Sequence, residues 1–268
     1  MIDEGKHNVL GIHIDAVDYD AAVERVVSAA RARHPMAVSA LAVHGLMTGV
    51  LDGYHKYRLN DFELLVPDGQ PVRWALQWLH GVRLAERVYG PTLMLEICRR
   101  ASEEQLPIYL FGGTCELLDA LSANLRERFP SLQIAGARCS RFRRLSPAER
   151  EETVAAIRDS GAAITFVGLG CPRQEVWAYE FRCALSMPLI AVGAAFNFHA
   201  GQIAQAPRFL QDHGLEWLFR LFCEPRRLWK RYLLLNPLYL SLLSLQISGL
   251  CRFDSADASK PKEAIYYG

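Results

Sequence analysis

Short apolar runs alternate along the chain with segments whose apolar residues recur every three or four positions. The runs at 37–43, 108–111, 132–135, 163–167 and 189–192 predict strands. The periodic segments at 70–79, 91–104, 116–129, 147–160 and 172–185 predict helices between them. Strands separated by helices of this length favour an α/β fold, a parallel sheet with helices on both faces. Pro147 and Pro172 suit the first turn of a helix, where an amide proton is not needed. No period of 20 to 50 residues repeats, which excludes a solenoid.

The pattern changes after residue 215. Residues 216–251 are leucine-rich and basic, and 252–268 form a polar tail expected to be flexible. The leucine-rich stretch is interrupted by Asn236-Pro237, and its remainder, 238–250, falls short of the roughly 20 residues a membrane span requires. Pro237, Ser241, Ser244 and Ser248 share one stripe of that segment. A helix lying at a membrane interface is expected, the alternative being one packed on the domain or on another subunit.

Composition narrows the classes. The 268 residues are 51% hydrophobic, too apolar for disorder, and a net charge of +1 argues against a protein that coats nucleic acid. That near-neutrality conceals a polarity. Arg220, Arg226, Arg227, Lys230 and Arg231 against Glu224 give the segment +4, leaving 25 cations against 28 anions, or −3, elsewhere. Basic residues interleaved with leucine and aromatics suit an anionic lipid or membrane surface. Seven dispersed cysteines without a CxxC pair read as reduced thiols rather than as a disulfide framework or zinc site. The first residues lack the apolar run of a signal peptide, so a cytoplasmic protein is expected.

Three predicted strands end in glycine, at Gly112-Gly113, Gly168-Leu169-Gly170 and Gly193. In open parallel sheets ligands bind beyond the carboxyl ends of the strands, where glycine lets backbone amides approach a phosphate. The pair Gly168 and Gly170 only begins a dinucleotide fingerprint, because Arg173 stands where its third glycine belongs. Asp68, between Pro67 and Gly69, is placed to accept a proton, to cap the following helix or to brace a turn. Arg87 offers a cation for a phosphate or a surface ion pair. Gln174 and Glu175 fall in the first turn of a helix, facing the mouth of the sheet or complementing its dipole. The one DxD pattern, Asp18-Tyr19-Asp20, reads as a helix cap and not as a metal site.

Four segments, VPDGQPVRW, ERVYGPTLM, VGLGCPRQEVW and GLEWLFRLFCEPRRLWKRYL, resemble in order and spacing the WecG/TagA/CpsF glycosyltransferases, over about residues 38–240. The resemblance implies a Rossmann-like fold. It also implies transfer from a UDP-sugar to an undecaprenyl-diphosphate-linked saccharide, with inversion and without an obligatory metal or other cofactor. It makes Asp68 the general base, and Arg87 and Gln174 contacts of the donor or its diphosphate. The Arg-rich appendage is implied to close the pocket and meet the cytoplasmic membrane face. His44, Gly69, Gly112, Gly113, Gly168, Gly170, Glu175 and Asn197 complete the expected substrate site. Arg220, Arg226, Arg227, Lys230 and Arg231 are expected to meet an acceptor diphosphate or the membrane.

The chain departs from the family pattern in two places. Ala40-Leu41-Ala42 replaces a Thr-x-Asn, with His44 nearby to take over part of its role, and Asn197 replaces an Asp. The segments VHG, RVYGP and EPRRLW most resemble the exopolysaccharide branch, which implies a hexose-type donor. His44 and His199 are the next candidates for the base. A nucleotide-dependent oxidoreductase and a non-catalytic scaffold of polysaccharide machinery are the competing classes. A homo-oligomer is possible, and no nucleic-acid partner is expected.

Overall fold

The computed structural model describes the backbone of all 268 residues and every side chain except those of Arg208, Asp212, Arg227, Lys230 and Arg231. The roles expected of Arg227, Lys230 and Arg231 therefore lie outside the described side chains. Six parallel strands build the central sheet in the order β4-β3-β8-β7-β5-β6. They are β3 (Met36–Leu41), β4 (Leu64–Pro67), β5 (Ile108–Phe111), β6 (Ile134–Arg138), β7 (Ile164–Val167) and β8 (Pro188–Ala191). Their side chains divide by strand periodicity into two apolar layers. Ala37, Leu41, Tyr109, Phe111 and Val167 face one layer, and Val38, Ile108, Leu110, Phe166 and Ile190 the other.

Helices cover both layers. On one face pack α1 (Tyr19–Arg31), α5 (Gly90–Glu103) and α6 (Cys115–Arg128), supplying Val26, Leu93, Ile97 and Leu121. On the other pack α2 (Val43–Leu51), α3 (Gly53–Asn60), α4 (Gln70–His80), α7 (Pro147–Asp159) and α8 (Arg173–Phe181). The parallel α/β sheet with helices on both faces is as the apolar pattern predicts, and its Rossmann-like arrangement is as the resemblance implies, with most boundaries within two residues. Helix α8 is shorter than expected and ends in a 3-10 turn at Arg182–Ala184.

Several elements were not visible as a pattern, among them β4, α2, α3 and both strands of the N-terminal hairpin. Strand β4 is four residues long and runs directly into the Pro67-Asp68-Gly69 turn. The hairpin β1 (Asp3–Val9) and β2 (Ile12–Val17) turns at Leu10 and Gly11, with φ of 55° and 83°. Both residues of such a turn are left-handed. At Gly11 a Cβ would stand 2.4 Å from the Asp254 carbonyl oxygen, so space as well as φ selects glycine. Asp18 caps α1, accepting from the Ala21 amide, as the DxD pattern suggests.

The C-terminal region departs from expectation at Pro237. Beyond α9 (Ala195–His199) and α10 (Arg208–Asp212), α11 (Glu216–Cys223) leads into α12, a continuous helix over Pro225–Ile247. Pro237 lies inside α12 and does not break it. It forfeits one amide bond, to the carbonyl four residues back, and Leu233 there is exposed to water, which lowers the cost. Leu228, Tyr232, Tyr239 and Leu243 are buried at helical spacing, so one face of α12 packs on the domain. The serine stripe is satisfied within the helix: Ser241 donates to the Pro237 carbonyl and Ser244 to that of Leu240.

The polar tail is docked rather than loose. Leu145 N donates to the Tyr266 carbonyl, Gly268 N to that of Arg143, and Asp257 pairs with buried Lys56 at 2.6 Å. The cysteines are not all thiols either. Cys115 at the start of α6 and Cys139 after β6 lie on neighbouring segments, 5.0 Å apart at Cα, and are joined as a disulfide. Sequence separation hid a proximity that the β5–β6 pairing creates. Among the described residues no helix is long and apolar enough to cross a membrane.

Candidate active site

The carboxyl ends of β3, β4, β7 and β8 open into one cleft of about 760 Å³. The chain leaves β3 outward to β4, while β8 returns on β3's other side, so the crevice falls where such sheets bind ligands. Its floor is the β4–α4 turn. Asp68 does not cap α4: that helix begins at Gln70, and its N-cap is Gly69, with no side-chain bond. Instead the Asp68 Oδ1 accepts from the Gly90 amide at 3.0 Å, the first residue of α5, whose own N-cap Tyr89 supplies none. The turn thus aims the carboxylate across the cleft floor.

Burial is the dominant influence on Asp68 and pushes its pKa up to about 6. Arg87 opposes that rise, Glu216 reinforces it, and the Gly90 amide and Arg220 oppose it again. Arg87 lies over the Tyr89 ring, 4.2 Å from its centroid, and pairs with Glu216 Oε2 at 2.5 Å. Tyr89 donates its hydroxyl to the other Glu216 oxygen at 3.0 Å. Glu216 and Arg220 are one helical turn apart on α11 and both line the cleft. The Arg220 guanidinium stands 5.7 Å from the Phe198 ring, and its Nε is buried without a hydrogen-bond partner among the described residues. A buried unmatched donor beside a carboxylate and a second arginine makes a cavity fit for an anion.

Gln174 bridges two walls. Its Oε1 accepts from the Gly170 amide at 3.1 Å, and its Nε2 donates to Glu175 Oε1 at 2.9 Å. At Gly193, φ +51°, a Cβ would come within 3.0 Å of Gln174 Oε1, so glycine there makes room for the amide. Glu175 is placed differently from expectation. It is 1% exposed, takes a hydrogen bond from Ser39 at 3.0 Å, and forms the back wall that orients Gln174. Burial raises its pKa, with Gln174 the first of the hydrogen bonds opposing the rise.

The cleft gathers most of the remaining expected residues: His44 on α2, Gly69, Gly113, Gly168, Gly170 and Asn197 on α9. Gly112 is a correction. It does not line the cleft, and a Cβ there would meet the Gly168 backbone at 2.8 Å, so its glycine serves the close approach of two strand ends. Arg226 is exposed at the start of α12, outside the cleft. His199 is also outside the cleft lining, with Nε2 against the Pro91 carbonyl at 2.8 Å. Sequence reasoning missed Tyr89 and Glu216. The former sits inside the RVYGP motif and the latter inside GLEW, so both lay in segments already marked as chemical.

The fold and this site define an α/β protein of the Rossmann-like class, whose cleft at the strand ends combines a buried carboxylate with arginines. The model of the Glycosyl transferase WecG/TagA/CpsF family matches residues 7–250. The chain belongs to that family, and it is a glycosyltransferase.

Proposed function

We propose that the chain transfers a hexose-type sugar from a UDP-sugar, with inversion, to an undecaprenyl-diphosphate-linked saccharide in exopolysaccharide or envelope polysaccharide synthesis. The observation that carries this reading is Asp68, a carboxylate pushed up to about 6 on the floor of a cleft that also holds Arg87 and Arg220. A sugar hydroxyl is a poor nucleophile until its proton leaves. A carboxylate whose pKa lies near working pH is suited to remove it. The hydroxyl oxygen then bonds to the anomeric carbon on the face opposite the diphosphate, the glycosidic C–O bond to UDP breaks, and Asp68 holds the proton. Arg87 and Arg220 offset the charge that develops on the departing diphosphate, work that a metal does in enzymes with a metal-binding DxD. The diphosphate competes with Glu216 for Arg87, and Gln174 presents its remaining amide valences to the donor.

The same reading puts the protein at the inner face of the cytoplasmic membrane, held peripherally. Phe222, Trp229, Leu233, Leu234 and Leu240 project from α11 and α12 into solvent with Arg226 beside them. Aromatic and leucine side chains with adjacent cations suit an anionic interface. The deciding assay is UDP release with UDP-glucose, UDP-N-acetylmannosamine and UDP-glucuronate, each with and without a lipid-diphosphate saccharide. Release that requires both substrates supports the transferase reading. Absence of release with every donor favours a scaffold, and nicotinamide-dependent turnover an oxidoreductase.

A further inference from the structure

A second constellation lies behind the cleft. His55 on α3, Cys171 in the β7–α8 connection and Glu175 on α8 bring a ring nitrogen, a thiol sulfur and a carboxylate oxygen within 4.8 Å of one another. His55 is 2% exposed, and neither of its ring nitrogens has a hydrogen-bond partner among the described residues. A buried imidazole with both nitrogens unmatched calls for a ligand, since each such group is costly. Burial holds the His55 pKa down at about 4, with Arg58 adding to the fall and Asp52 opposing it. A neutral imidazole nitrogen is the form that ligates a metal. Cys171 bonds to the Glu175 carboxyl, so sulfur and oxygen already face each other.

We propose that His55, Cys171 and Glu175 form a binding site for a soft or borderline divalent cation, of which Zn²⁺ is the type. The donor set selects the class: one imidazole, one thiolate and one carboxylate suit Zn²⁺ and not Mg²⁺ or Ca²⁺, which take oxygen ligands. The charges also close. Binding releases the Cys171 proton to solvent, and the resulting thiolate with the Glu175 carboxylate neutralises a 2+ ion in a buried place. With metal–ligand distances of about 2.0 to 2.3 Å, the three atoms must draw together by about 1 Å, a side-chain adjustment. Cys171 and Glu175 also border the cleft, which leaves water a route to a fourth position. The site ties α3 to the segment carrying Gln174, so the ion braces the cleft wall and takes no part in neutralising the diphosphate.

The probe is Co²⁺, followed by Zn²⁺ in competition, added to the untagged full chain in a Cys183→Ser, Cys223→Ser, Cys251→Ser background that removes the exposed free thiols. One Co²⁺ per chain is expected, with a thiolate-to-cobalt charge-transfer band that Zn²⁺ abolishes. Cys171→Ser removes the band, and His55→Gln weakens binding at least about tenfold. No stoichiometric binding, or an unchanged band in Cys171→Ser, overturns the site. Should a variant not fold, alkylation of Cys171 in the background protein decides: protection by Zn²⁺ supports the site and undiminished labelling refutes it. None of these readouts requires turnover, so the metal site and the transferase reading fail separately.

Discussion

Asp68→Asn gives opposite results for activity and stability, and the structure gives the size of each. The usual aspartate value of 3.8 is raised to about 6 in the folded protein, chiefly by burial. Two pKa units correspond to about 3 kcal/mol between the ionised and neutral forms. Because the folded value is the higher one, wild-type stability is lost as pH rises from about 4 through 6, and the burial cost is fully present at pH 7. Asparagine keeps an oxygen for the Gly90 amide and carries no charge, so Asp68→Asn gains about 1 to 3 kcal/mol at pH 7. At pH 4 the wild-type carboxyl is protonated in the fold and the gain shrinks towards zero. Turnover moves the other way, falling at least about tenfold, with general-base catalysis contributing about 10² to 10⁴. UDP-sugar binding persists. Wild-type kcat/KM rises with pH to a plateau above about 6. Urea denaturation at pH 4 and 7, beside UDP release from pH 5 to 8, tests every element. Wild-type turnover in the variant, or a variant less stable than wild type at pH 7, refutes the assignment.

Other outcomes depend on single contacts. Glu216→Gln removes an anion that helps raise Asp68, so the acidic limb of kcat/KM moves to lower pH. An unmoved limb would remove Glu216 from the electrostatics of the site. Gly112→Ala forces a side chain into a φ of +113° and against the Gly168 backbone, costing about 2 kcal/mol or more by denaturant titration. Leu233→Ser with Leu234→Ser, at two exposed positions of α12, lowers flotation with anionic liposomes while Tm stays near that of wild type. Equal flotation would exclude this face as the anchor. Tyr239→Phe loses the hydroxyl bond to the Pro71 carbonyl, 2.9 Å long, and about 1 kcal/mol with it.

The layered fold was legible because its signal is local. Tyr109 and Phe111 face one layer and Ile108 and Leu110 the other, and that alternation within an apolar run says "buried on both faces" without any knowledge of partners. Capping was legible where donor and acceptor are three residues apart, as at Asp18. The same logic failed at Asp68, whose amide partner is 22 residues away on another helix. It failed at Pro237 as well, because whether a proline ends a helix depends on what surrounds the carbonyl it leaves unmatched. The disulfide between Cys115 and Cys139 depends on β5 pairing with β6, which spacing alone does not express.

Arg87 shows most clearly what the motif could and could not convey. Its position beside a glycine-opened helix marks it as an anion contact, but its working environment comes from Glu216, 129 residues further on. That carboxylate reaches Arg87 and Tyr89 together, so the segment leading into α12 supplies part of the chemistry of the sheet's cleft. A basic, leucine-rich appendage that merely held the protein at a surface would have no need to deliver an acid there. Because Glu216 and Arg220 share one face of α11, any motion that withdraws one from the cleft withdraws the other. Arg87 would then be released from its carboxylate as the cleft lost its second arginine. On the proposed transferase reading, a diphosphate in the cleft therefore meets Arg220 only while α11 is docked, because the helix that brings Glu216 to Arg87 also brings Arg220 to the cleft.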